Sequence, residues 1–276
     1  MNATSARVLR ALDGAETYLR GRQSPSGGFC FYRSALLEEP NLGDTYHAVA
    51  ALTRLRRRTP QAAKIADFVS RAALYGPSYY YFQWLTLDLL GQIAGIPQVA
   101  RHAIAKLTVT VPDREHTETT TWLERTRQVL CLRQALGDSD KHPDVLRFLQ
   151  SHRAGGGFGD APNLWNTWQA LAILAILGRL ADATDTAAFV NSLQRRPDGF
   201  TMTPCSSAAY PDTVYAGVMC CASLEVPIRY PGDIVEFTLS CQTAEGGFAR
   251  ASTGLPDIQR TYWAAEVLTR VAPTLP

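Results

Sequence analysis

Two kinds of apolar stretch alternate along the chain. Segments such as Val145-Leu-Arg-Phe-Leu-Gln150 and Ile234-Val-Glu-Phe-Thr-Leu-Ser-Cys241 place apolar and polar side chains on opposite faces, the pattern of a helix with one solvated side. A short glycine-containing loop follows, and then a stretch that is apolar nearly all round, which predicts a helix touched on most sides. The loop repeats one sentence of glutamine, glycine and phenylalanine. It reads Gln23-Ser-Pro-Ser-Gly-Gly-Phe29, Gln150 through Gly157-Phe158, Gln194-Arg-Arg-Pro-Asp-Gly-Phe200 and Gln242-Thr-Ala-Glu-Gly-Gly-Phe248. The second helix of each pair has its own signature: Asp44-Thr-Tyr-His47 aligns with Arg260-Thr-Tyr-Trp263, and Asn166-Thr-Trp168 and Asp212-Thr-Val214 open the equivalent helices. Thr120-Thr-Trp122 and Phe82-Gln-Trp84 stand where a repeat of roughly 37–48 residues requires them.

Glycine ends the outer helix because it enters the left-handed region without steric cost, and Asp or Asn then caps the inner one. This count gives six helical hairpins and leaves no linker, so the expected fold is all-α, an (α/α)6 toroid forming a single domain over residues 1–276. Six hairpins can close on themselves instead of forming an open solenoid with capping repeats.

Composition narrows the function. A formal charge of +2 gives no broad basic face, so nucleic acid is not an expected partner. Lysine occurs only at Lys64, Lys106 and Lys141, an arginine bias that suggests a GC-rich bacterial source. No apolar run approaches the roughly 18–20 residues that span a bilayer, and the polar start from Met1 to Arg10 is not a signal peptide. The six cysteines form no CxxC pair and read as buried thiols in a reducing cytoplasm.

The repeated Gln…Gly-Phe element resembles the repeat of the prenyltransferase and squalene-cyclase superfamily, over essentially the whole chain. The resemblance implies a funnel of inner helices with an aromatic-lined cavity, its mouth ringed by helix N-termini. It also implies two chemistries. Protein prenyltransferases hold zinc with Asp-x-Cys at the start of the fifth inner helix and His at the sixth. Here Asp212 survives, but Val214 and Arg260 stand in the other places, and neither ligates zinc. Class II terpene cyclases protonate an alkene from Asp-x-Asp-Asp; in Ala209-Tyr-Pro-Asp-Thr213 only the last Asp and the Thr match, with Pro211 in the donor's place. Asp138-Ser-Asp140 has acidic spacing but reads as a solvated loop.

If the ring closes, Arg260 falls between Asp212 and Asp44. That cluster reads either as caps plus an ion pair, or as an acid or anion-binding arginine at the cavity mouth. These three are the candidate catalytic residues. His47, and His116 with Glu118, could reach the cavity as base or ligand, and with Asp44 could form a new metal site; ordinary hydrogen-bonded histidines are the alternative. Candidate substrate-binding aromatics are Tyr80, Trp84, Trp122, Trp165, Trp168, Tyr215, Tyr262 and Trp263, since so many polar-tipped rings suit a cavity wall.

The expected function is a terpene cyclase-like, cofactor-free bacterial enzyme of the cytoplasm, acting on an isoprenoid or similarly hydrophobic substrate by metal-independent acid chemistry. The alternatives are a non-catalytic binder of a hydrophobic or prenylated partner, and a divergent protein prenyltransferase with a relocated zinc.

Overall fold

The computed structural model describes residues 3–32, 38–111, 118–138 and 140–275. Twelve α-helices are found among them, and they pair as six outer–inner hairpins. The outer helices are α1 (Ala3–Gly21), α3 (Ala62–Arg71), α5 (Gln98–Ala105), α7 (Pro143–Ser151), α9 (Thr186–Ser192) and α11 (Pro231–Ser240). The inner ones are α2 (Leu42–Arg54), α4 (Pro77–Leu89), α6 (Thr119–Ala135), α8 (Leu164–Ile176), α10 (Pro211–Leu224) and α12 (Ile258–Val271). None of the described helices is long and apolar enough to cross a membrane.

The helices form two compact units. One combines both ends of the chain, residues 1–98 with 231–276, and the other spans residues 99–230. In the first, α12 packs on α2 and α2 on α4, so the sixth hairpin lies beside the first. In the second, α8 is flanked by α6 and α10.

The repeated loop is a latch with three parts. First, Gln and Phe pair as short antiparallel bridges, Gln23 with Phe29, Gln194 with Phe200 and Gln242 with Phe248. All three phenylalanines are fully buried. Second, a threonine of the inner helix locks the loop. The backbone N–H groups of Phe29, Phe158 and Phe248 donate to the hydroxyls of Thr45, Thr167 and Thr261 at 3.0, 3.2 and 3.0 Å. Those hydroxyls donate onward to the carbonyls of Asn41, Asn163 and Asp257.

Third, the latch reaches the next hairpin. A Cβ on Gly27, Gly156 or Gly246 would lie 2.4, 2.7 or 2.5 Å from the carbonyl oxygens of Lys64, Asp185 or Gly14. The following glycines, Gly28, Gly157 and Gly247, lie under the rings of Phe68, Phe189 and Tyr18. The glutamines make the same connection: Gln23 donates to the Pro60 carbonyl and Gln242 to the Ala11 carbonyl. The motif therefore encodes contact between repeats as well as a turn within one.

The structure corrects two details of the sequence reading. In the fourth hairpin Gln150 is exposed and takes no part; Arg153 pairs with Phe158 instead. Its guanidinium donates to the Asp182 carbonyl at 2.7 Å, to Thr186, and forms a salt bridge with Asp185, so an arginine does the glutamine's work. Asp44, Asn166 and Arg260 are also not caps. Asn41, Asn163 and Asp257 cap these helices from three residues earlier, each accepting an N–H of the first turn.

Because Thr261 is fully buried, Thr261→Val leaves the Phe248 N–H without an acceptor at nearly constant volume. We expect a loss of about 1–3 kcal/mol, measurable by urea unfolding. An unchanged midpoint would show that the latch is dispensable.

Candidate functional site

In the first unit, the site grows from the cap of α2. Asn41 accepts the Asp44 N–H at 2.8 Å and donates its side-chain amide back to Asp44 Oδ2 at 2.6 Å. This reciprocal pair fixes the Asp44 carboxyl at the third helical position. Burial pushes its pKa above the usual carboxylate value, against the hydrogen bonds from Asn41 and the Phe31 N–H, and the charge of Asp257 adds to the rise. A helix N-terminus favours the ionised acid, so desolvation prevails here.

Aromatic rings lie on the same stretch. His47, one turn after Asp44, stands 5.7 Å from Phe82 of α4 and 5.5 Å from Tyr262 of α12. Tyr46 contacts Phe82 at 5.6 Å and lies 6.2 Å from both Tyr81 and Tyr262. Three helices thus bring one aromatic face together around the start of α2.

Arg260 does not join Asp44. Its guanidinium pairs with the carboxylate of Asp257, the buried cap of its own helix. Asp257 was missed from the sequence. The signal that finds it is the cap-x-x-x-Thr spacing shared with Asn41-x-x-x-Thr45 and Asn163-x-x-x-Thr167.

In the second unit, Asp212 lies in the first turn of α10 and accepts the Thr213 N–H at 2.9 Å. Trp165 and Trp168 of α8 meet at 4.8 Å, and Trp168 meets Tyr215 of α10 at 5.2 Å. Arg127 of α6 lies over the Trp168 ring and donates to Gln169 at 2.6 Å. Trp122 is buried against Phe148 of α7, and its indole N–H donates to the Thr110 carbonyl. Trp84 and Trp263 are buried as well, Tyr80 is half-buried, and His116 lies outside the described residues. Among the described residues, no three His, Cys, Asp or Glu side chains come together as a metal site.

The family model for the prenyltransferase alpha-alpha toroid domain matches residues 2–75 and 75–269. The chain belongs to this family. Its all-α hairpin architecture is the fold read from the repeat. Solved structures of toroid proteins are similar to it throughout. A variant of the type II terpene cyclase MstE from Scytonema, in complex with geranylgeranyl dihydroxybenzoate, is 12% identical with a TM-score of 0.65, covering 100% of each chain. Candida albicans protein geranylgeranyltransferase-I, complexed with GGPP, is 13% identical with a TM-score of 0.66, covering 93% of this chain and 90% of that one. No curated protein matches the sequence.

The donor set of this toroid chain does not fit the zinc that prenyltransferase kinship implies. Val214 is buried and cannot ligate, and the Arg260 guanidinium is committed to Asp257.

Proposed function

We propose that this chain is a terpene cyclase-like enzyme that protonates an isoprenoid or similarly hydrophobic alkene, with Asp44 as the acid. The reading takes residues 1–276 as one domain working in the cytoplasm. The observation that carries it is the conjunction of Asp44, a carboxyl held by Asn41 and raised by burial, with the ring face of Tyr46, His47, Phe82 and Tyr262.

The chemistry follows from these groups. The Asp44 O–H gives its proton to a terminal alkene carbon, and the π pair forms the new C–H bond. The cation left on the neighbouring carbon is stabilised by aromatic faces and is attacked by the next double bond. Loss of a proton, or capture of water, ends the sequence, and solvent reprotonates the Asp44 carboxylate. The scheme calls for no cofactor.

The test is incubation with geranylgeranyl-bearing substrates and squalene, with products identified by mass spectrometry. A cyclised isomer or its hydrate is the expected product. Asp212→Asn is expected to keep turnover within about fivefold of the parent, well short of the 10²–10⁴-fold loss that marks a general acid. A larger loss in that variant would move the acid to α10.

A binding protein without catalysis is the second reading. Exposed Phe31, Tyr32 and Leu255, on the loops leading to α2 and α12, favour it. It requires that an isoprenoid be captured and recovered unchanged.

A further inference from the structure

At the opposite end of α2 from Asp44, the chain runs Arg54-Leu-Arg-Arg-Arg58. Arg54, Leu55, Arg56 and Arg57, together with Leu9 and Leu12 of α1 and Thr269 of α12, line a cavity of about 310 Å³. That volume is at the lower end of small-molecule sites. One wall is apolar, and Leu9 in it is 48% exposed.

The other wall is cationic, with Arg54, Arg56 and Arg57. Arg54 Nε donates to Thr269 at 2.7 Å and stands 3.4 Å from Glu266, a carboxylate it shares with Arg270. Arg57 lies between Asp13 at 2.6 Å and Glu16 at 3.0 Å, and Glu16 is shared with Arg20. Among the described residues the Arg56 side chain has no ionic or hydrogen-bonding partner, yet it lines the cavity. Of the three guanidinium groups that line the cavity, Arg54 and Arg57 are thus paired with carboxylates and Arg56 is not.

The backbone makes the placement of Arg56 more pointed. Arg56 has φ of 54°, the left-handed position just past the helix end, where glycine is the common residue and a side chain carries strain. Arginines here offset the negative end of the α2 dipole, but a dipole offset needs neither a cavity nor a leucine wall.

We propose that this cavity is a binding site for an amphiphilic oxyanion, its phosphate or carboxylate head on Arg56 and its aliphatic stem along Leu9, Leu12 and Leu55. Guanidinium forks bind such heads through paired, charge-assisted hydrogen bonds. The stem covers the apolar surface that the fold leaves open. The site is independent of Asp44 and of any catalytic role assigned to it.

Calorimetric titration of the intact protein with decyl phosphate, inorganic phosphate and decyltrimethylammonium tests the assignment. Decyl phosphate is expected to bind at least tenfold more tightly than either control. Arg56→Gln should weaken it about tenfold and Leu9→Ser several-fold; both positions are exposed, so neither change threatens the fold. Equal affinity in the parent and Arg56→Gln, or binding of the cationic amphiphile as tightly, overturns the proposal. A sedimentation arm with phosphatidylglycerol and phosphatidylcholine vesicles separates a lipid head from a soluble anion. Vesicle binding sensitive to Arg56→Gln, with decyl phosphate also bound, assigns the head to a membrane lipid. Vesicle binding without decyl phosphate binding overturns the cavity as the site.

Discussion

Asp44→Asn is expected to reduce turnover of an accepted isoprenoid by about 100-fold or more, the usual contribution of a positioned general acid, while the protein stays folded. The amide oxygen can still accept the hydrogen bond that Asn41 offers to Asp44, so the side chain stays held while the transferable proton is lost. The pH dependence has a defined sign. The pKa of Asp44 is raised in the folded protein, so the folded state holds its proton more tightly than the unfolded state. That contribution to stability is complete below the unfolded pKa and is lost as pH rises through the folded one. Turnover should fall over the same upper range as the acid ionises. Asp44→Asn should gain stability relative to the parent as pH rises from the acidic side to neutrality, because a partly buried carboxylate no longer has to ionise. Melting curves at several pH values check this. A variant that loses stability at neutral pH would mean that the ionised carboxylate supports the fold.

Gly246→Ala is expected to have a large structural effect. Gly246 has φ of 89°, and an added Cβ would sit 2.5 Å from the Gly14 carbonyl oxygen, backbone against backbone. Left-handed strain and overpacking together should cost about 3 kcal/mol, or ~6–12 °C in melting temperature for a chain of this size. Gly91→Ala is the control. Its φ is also positive, at 68°, but no atom stands within 4 Å of the added carbon, so a loss of about 1 kcal/mol is expected. Similar losses in both would show that the contact between the sixth loop and α1 contributes little.

The hairpin repeat was legible because its latch is made of rare, spaced residues. Glutamine, glycine and phenylalanine mark the loop, and threonine marks the inner helix. The errors have physical causes. Gln150 matched the motif as text, but one residue fewer separates Arg153 from Phe158 than separates Gln23 from Phe29, and only the bridge register reveals that. The caps lie three residues before Asp44, Asn166 and Arg260, at the residues whose carbonyls the inner-helix threonines bond. Asp257 follows the same rule, and as the cap of α12 it takes the Arg260 guanidinium that the repeat alignment assigns to Asp212 and Asp44.

The aromatic inventory could be counted but not aimed. Trp84, Trp122 and Trp263 are buried, whereas Tyr46 and Phe82, which are not among the candidate substrate-binding rings, join the aromatic face around the start of α2. Ring direction depends on helix phase at the residue level, and a sequence of nearly uniform apolarity does not define that phase.

The most direct test of the central claim is turnover in D₂O with product analysis by mass spectrometry and NMR. Protonation of an alkene by Asp44, exchanged with solvent, places one deuterium at the carbon where the reaction starts. The result expected is a cyclised product carrying that deuterium, formed by the parent and not by Asp44→Asn. A product without solvent deuterium, or one labelled equally well by Asp44→Asn, would contradict the assignment.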